Sequence, residues 1–286
     1  MLLHRSRLGG DHLCMRAPSP RACPRSLRGL PVCLLALAGA LVSLASCNSQ
    51  LQPMESREIT FQGQDFTVVS LDLHREALTL HWKNPDTGQP FGDIQTLREW
   101  GAANGKRLMF AANAGIYDQS YAPLGMYVEN GKTLVPLNLF HGNPAAGNFS
   151  IRPNGVFAIY RDGHAAVRTS TDFKADSKPV DWATQSGPML VIDGKINEQF
   201  VHDSASTKWR SGVCARTPYQ VVFAVSDAPV NFHTFAQLFR DKLDCRDALY
   251  LDGSISQFYV DGAGYAGAPT FMVKPYAGIF TVFADQ

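Results

Sequence analysis

Asp252 stands where a chain can mount an acid–base group. It closes Ala248-Leu249-Tyr250-Leu251, an apolar run with the length of a buried strand, and Gly253 follows it. A carboxylate at the end of a buried strand is held by a rigid element and faces outward at the rim of the core. Gly253, Ser254 and Ser256 are small enough for a substrate to approach the backbone. The same residues would also make an ordinary Asp-Gly hairpin turn. Three more polar stretches lie at expected strand ends or turns. Asn113-Ala114-Gly115-Ile116-Tyr117-Asp118 offers an amide and a glycine directly after a buried strand, or a simple strand-exit turn. Thr184-Gln185-Ser186-Gly187-Pro188-Met189 puts polar residues and a bend before an apolar strand, as a tight entry turn also would. Ser206-Thr207-Lys208-Trp209-Arg210-Ser211-Gly212-Val213 places a guanidinium and hydroxyls before a strand; the planar fork of the Arg matches phosphate oxygens, and a solvated surface Arg is the plainer alternative.

Other chemistries lack their residues. There is no P-loop, dinucleotide fingerprint, Gly-x-Ser-x-Gly elbow or His-Glu-x-x-His. The 8 histidines show no ligand spacing. His141 and His202 lie nearest the candidate loops. Asp86, Asp118 and Asp252 could join backbone carbonyls around a divalent cation, but no calcium loop or ligand cluster supports one, so no cofactor is expected. Tyr117, Tyr121 and Trp209 fall in polar loops, where a flat face could stack on a sugar or pack in the core. A net charge of +1 gives no global attraction for nucleic acid.

The positioning elements are mostly strands. Val69–Leu73 and Leu78–Trp82 alternate, and Leu108–Ala112 and Val156–Tyr160 are apolar runs. Asn130-Gly131, Asp162-Gly163 and Asp193-Gly194 mark hairpins, and Val213–Arg216 pairs with Gln220–Ser226 around Thr217-Pro218. Ile94, Leu97 and Trp100 predict a helix ending at Asn104-Gly105; a second runs His233–Leu243, capped by Asn231. Thr270–Val273 and Ile279–Phe283 are expected closing strands. The pattern predicts one α+β domain, dominated by an antiparallel or mixed sheet with many hairpins and a few helices.

The amino terminus reads as an export signal. A basic leader precedes the apolar run Leu30–Ala45, and Leu44-Ala45-Ser46-Cys47 resembles a bacterial lipobox. At about 16 residues the run is marginal for a membrane span. The expected division is residues 1–46 removed as a signal peptide, 47–57 a tether lipidated at Cys47, and 58–286 the folded domain. Asn48 after the Cys resembles the pattern that permits export to the outer membrane. The expected location is therefore the periplasm-facing bacterial cell envelope, with membrane contact through the lipid anchor only. Of the 6 cysteines, Cys214 and Cys245 remain for a disulfide.

Taken in order, Asn113-Ala114-Gly115-Ile116-Tyr117, the stretch from Ser186-Gly187-Pro188 to Asp193-Gly194, Arg210-Ser211-Gly212-Val213-Cys214-Ala215 and Tyr250-Leu251-Asp252-Gly253-Ser254-Ile255-Ser256 resemble the motif series of the phosphodiester glycosidase family. The likeness runs from Phe66 to the carboxyl terminus. Where the family usually has Asn-Gly-Gly, this chain has Asn113-Ala114-Gly115. Where it usually has Leu-Asp-Gly-Gly-Gly-Ser, this chain has Leu251-Asp252-Gly253-Ser254-Ile255-Ser256, a partly filled loop expected to narrow the pocket. The resemblance implies a hydrolase acting on a sugar-1-phosphodiester. Arg210 would hold the phosphate, Asp252 would act at the anomeric centre, and Asn113 and Ser186 would orient hydroxyls or phosphate oxygens. Gly115, Tyr117, Gly187, Ser211, Gly253 and Ser256 would complete a substrate pocket. Arg210→Ala and Asp252→Ala are each expected to remove activity with little change in melting. A second reading is a non-catalytic lipid-anchored module that binds an envelope glycan; the filled glycine loop favours it, and Arg210 with Asp252 favours the enzyme.

Overall fold

Each expected strand is bounded by residues that end it, and the pairing follows from the turns between them. The computed structural model describes residues 54–139, 144–176, 178–272 and 274–286. Among the described residues the strands run, in chain order, β1 (Glu55–Phe61), β2 (Gln64–Asp72), β3 (Leu78–His81), β4 (Lys106–Asn113), β5 (Tyr127–Glu129), β6 (Lys132–Val135), β7 (Gly155–Tyr160), β8 (Ala165–Thr169) and β9 (Val180–Ser186). They continue as β10 (Met189–Ile192), β11 (Lys195–Ile196), β12 (Ser211–Thr217), β13 (Gln220–Ser226), β14 (Ala248–Asp252), β15 (Gln257–Val260), β16 (Gly264–Gly267) and β17 (Ile279–Asp285). The α-helices are α1 (Ile94–Ala103), α2 (Ser170–Ala175) and α3 (Phe232–Gln237). Three sheets result, ordered β1-β2-β13-β12-β14-β10-β11, β16-β15-β4-β17-β3 and β6-β5-β9-β7-β8. Every strand pair is antiparallel. The expected α+β fold is present and mostly β.

The sheets meet over one core. Phe223 of β13 sits at its centre, with ring centroids of Phe110 and Phe280 both 5.2 Å away and those of Phe157 and Phe258 both 6.2 Å away. These rings come from all three sheets and are fully buried, each contributing about 1.5–3 kcal/mol of apolar burial. Phe235, Leu238 and Phe239 cover the other face of the first sheet, against Cys214, Leu190 and Tyr250. Ile94 and Leu97 of α1 pack on Leu108 and Ala111 of β4.

Hairpin chemistry behaves as the sequence predicts. Asn130 and Gly131 take φ of 49° and 72°, and Asp193 and Gly194 take 49° and 75°, as a two-residue turn with strand-matching twist requires. Asn231 caps α3 by accepting the Thr234 N–H at 2.8 Å. The expected single helix His233–Leu243 instead passes from α3 into a π-turn at Leu238–Lys242. The wider turn buries Leu238, Phe239 and Leu243 together. Glu55–Arg57, expected in the tether, form the start of β1 and pair with Val68–Ser70. Thr270–Met272 is a 3₁₀ turn rather than a strand, with Phe271 88% exposed. The expected signal peptide, Cys47, His141 and Val273 lie outside the described residues.

Cys214 and Cys245 form the expected disulfide, with Cα atoms 6.1 Å apart across a separation of 31 residues. It ties β12 to the segment that follows the π-turn and is buried. Replacing both cysteines by serine should cost about 3–4 kcal/mol by the chain-entropy estimate for such a loop. The fall in urea midpoint of that variant, against the oxidised protein, measures it.

Candidate active site

Four strand ends come together, one from each stretch singled out in the sequence. They are Asn113 at the end of β4, Ser186 at the end of β9, Ser211 at the start of β12 and Asp252 at the end of β14. Register dictates much of this, since Ser211 lies opposite Asp252 in the β12–β14 pair. Asn113 Nδ2 donates to Ser211 Oγ at 2.9 Å, and Asn113 Oδ1 accepts the Gln257 N–H at 3.1 Å. The Ser256 hydroxyl lies 3.0 Å from that of Ser211 and donates to the Asp252 carbonyl at 2.7 Å. Ser186 Oγ donates to the Leu251 carbonyl at 2.8 Å and accepts the Ile116 N–H at 3.3 Å.

The side chains of Asn113, Ser186, Ser211 and Ser256 are buried, Asn113, Ser211 and Ser256 bonding to one another and Ser186 to backbone groups. Asn113, Ser186, Ser211 and Ser256 form a hydrogen-bonded frame beneath the end of β14, and none of them lines the cleft that Asp252 enters. The glycines serve the frame too. A Cβ on Gly115 would lie 2.7 Å from the Gln185 carbonyl oxygen, and one on Gly253 would overlap the Tyr250 hydroxyl. Gly187 is likewise closed in by Asn154. The close approach at these positions is by the protein itself.

Asp252 leaves the frame and enters a cleft of about 620 Å³. Ile116, Tyr117, Asp118, Tyr121, Leu124, Asn148 and Lys274 also line it. The Asp252 side chain is half-buried, with one aspect open to the cleft and protein crowding the others. Burial disfavours its charged form and pushes the carboxyl from 3.8 up to about 7, against the pull of the Gly253 N–H 2.6 Å from Oδ1. Burial, and after it the Asp252 charge, also pushes the Tyr117 and Tyr276 hydroxyls well above their usual range. Of the expected site residues, Asp252 and Tyr117 line the cleft.

Arg210 does not, which is the largest correction. Its side chain is 1% exposed. Nε donates to the Val230 carbonyl at 2.7 Å and Nη2 to the Ser206 carbonyl at 3.1 Å, while Nη1 has no hydrogen-bond partner among the described residues. The guanidinium carbon stacks 3.6 Å from the centre of the Phe232 ring and 5.6 Å from that of Tyr250. Burial pulls its pKa down, and the nearby Tyr250 pushes it back up. Tyr250 links Arg210 to the cleft residue Asn148, whose Nδ2 donates to the Tyr250 hydroxyl at 3.2 Å.

The partly filled glycine loop is also resolved. Ile255 is 5% exposed and packs with Phe91, Ile94 and Tyr276 in the core, and Tyr276 donates to its carbonyl at 2.9 Å. The side chain fills the interior rather than the cleft. His202 is exposed beside Asp203 and contributes nothing to the cleft wall. Asn148 and Lys274 were not anticipated; single polar residues in irregular segments carry no periodic or motif signal. Among the described residues, no group of three or more His, Cys, Asp or Glu side chains is arranged to hold a metal ion.

An antiparallel three-sheet fold that gathers these four motifs around a cleft aspartate defines a phosphodiester glycosidase domain, and the family model for phosphodiester glycosidases matches residues 106–281. The chain belongs to that family. It is 39% identical over 223 residues to the uncharacterized protein YigE of Escherichia coli strain K12, covering 78% of this chain and 82% of YigE. Its fold is similar to the catalytic domain of zebrafish N-acetylglucosamine-1-phosphodiester alpha-N-acetylglucosaminidase auto-inhibited by its pro-peptide. That match has a TM-score of 0.50 and 15% identity, over 80% of this chain and 81% of that one. A hypothetical protein from Synechocystis matches with a TM-score of 0.50 and 14% identity, over 81% of this chain and 62% of that one. At these identities the two structures speak to fold alone.

Proposed function

We propose that the protein hydrolyses a sugar-1-phosphodiester at the anomeric carbon, with Asp252 as the proton-transferring carboxyl. The observation that carries this is the half-buried Asp252, held by a rigid frame at the cleft and lifted to about 7, where both protonation states are populated near neutrality. Water attacks the anomeric carbon, its proton passes to the Asp252 carboxylate, and the bond from that carbon to the phosphate oxygen breaks. The leaving phosphate gains negative charge. Lys274 is the cation of the cleft wall and meets that charge in place of Arg210. The leader and Cys47 would place this activity at the cell envelope, on a lipid anchor.

The test is to incubate the purified protein with UDP-N-acetylglucosamine and other UDP-sugars and identify products by NMR, with and without chelator. Free sugar plus UDP is the expected result. Sugar phosphate plus UMP would mean cleavage at phosphorus and end the proposal, as would the absence of any product across the panel. Lys274→Ala should lower kcat about tenfold, the scale of one charged hydrogen bond made to charge that grows in the transition state. An unchanged kcat would remove Lys274 from the leaving phosphate.

A further inference from the structure

The loop Tyr117–Pro123 is built to present one residue. Tyr121 holds φ at 58°, a left-handed conformation that a bulky side chain rarely adopts. Asp118 holds it there. Asp118 Oδ1 accepts the Ser120 N–H at 2.8 Å, the Ser120 hydroxyl at 2.6 Å and the Ala122 N–H at 3.1 Å. The Tyr121 N–H donates to the Asp118 carbonyl at 3.1 Å, and the Asp118 N–H donates to that of Ala122 at 2.9 Å. The strain brings no core packing in return. Tyr121 is 38% exposed and belongs to no buried cluster. Its ring instead lies 5.5 Å from that of Tyr117 at 34°, and both rings line the cleft with Asp252.

A tilted aromatic pair whose outer ring is 38% exposed, set among carboxylates, matches a pyranose: C–H groups on one face and hydroxyls around the rim. Asp118 suits the hydroxyls. The bonds from Ser120 and the Ala122 N–H keep its carboxyl below the usual range, and they engage Oδ1, with no hydrogen bond to Oδ2 among the described residues. We infer that Tyr121, backed by Tyr117 and braced by Asp118, is the platform on which the sugar ring of the substrate stacks. This rests on the sugar-phosphodiester reading for the choice of probe, and on the cleft geometry for everything else.

The experiment compares Tyr121→Ala, Tyr121→Trp and Tyr121→Asn with wild type, using UDP-N-acetylglucosamine and UDP-glucose. Saturation-transfer NMR reads which ligand protons touch the protein, and KM, kcat and Tm are measured in parallel. Wild type should transfer saturation to the sugar ring protons. Ala and Asn should lose that transfer and raise KM by about tenfold, with kcat close to wild type; Trp should restore both. Asn tolerates the left-handed backbone, so its variant should hold or raise Tm, which loss of a purely structural contact would lower. An Ala variant with wild-type KM and transfer, saturation confined to the uracil protons, or a lowered Tm in the Asn variant would each overturn the platform. A wild type that binds the sugar without hydrolysing it, with binding lost in Ala, would sink the hydrolase and leave the platform standing. A wild type that neither binds nor hydrolyses these probes would overturn both.

Discussion

Asp252→Asn should abolish turnover and, above neutral pH, stabilise the fold. The carboxyl titrates near 3.8 when unperturbed and near 7 in the folded protein. A raised folded value means that the native state holds the proton more tightly than the unfolded chain does. The contribution of this group to stability is therefore fully present below about pH 4 and is lost as pH rises through 7. Asn mimics the neutral acid in shape and carries no charge to desolvate. Its advantage in Tm over wild type should be absent at pH 4, grow through pH 5–7 and level off above. Turnover should drop by on the order of a thousandfold, the scale of a lost general acid–base group. The wild-type rate should bend near pH 7. Melting curves of the two proteins at pH 4 and pH 8 decide the matter: an equal offset at both would mean that the Asp252 carboxyl is as well solvated folded as unfolded.

Arg210→Ala should damage the fold itself, contrary to the expectation from sequence that it would leave melting nearly unchanged. The side chain is among the largest fully buried ones, and its removal leaves a cavity beneath Phe232 and Tyr250. The Ser206 carbonyl loses its donor at the same time, and the Val230 carbonyl keeps only the Lys208 N–H at 3.2 Å. A large-to-small change in a core costs about 3–5 kcal/mol before the unpaired Ser206 carbonyl is counted. Arg210→Met keeps most of the volume, removes a buried cation that no carboxylate pairs with among the described residues, and should recover part of that loss. Urea titrations give both values. An Arg210→Ala protein with a wild-type midpoint would show that the guanidinium is not a structural member of the core.

The two predictions mark what the sequence discloses and what it withholds. Hairpins at Asn130-Gly131 and Asp193-Gly194 were legible because left-handed backbone is a local demand that few residue types meet. The buried strand before Asp252 and the Asn231 cap were legible for the same local reasons. β9 was not: Thr184, Gln185 and Ser186 read as loop, yet all three are buried. Gln185 is held by the Met126 and Asn138 N–H groups and donates to Ser170, partners that no window of sequence contains. Arg210 shows the same limit. Whether a guanidinium is solvated, binds a ligand or is stacked in the core depends on Phe232 and Tyr250, which lie 22 and 40 positions away in the numbering. The four motifs announced a site. Which atoms face the cleft was set by distant strands.

Because β4, β9 and the β12–β14 pair belong to three different sheets, the frame under Asp252 is finished only when the most remote pairings close. During refolding, far-UV ellipticity should therefore recover before ligand affinity does. No excised segment, however well it keeps its own hairpins, should retain any of that affinity.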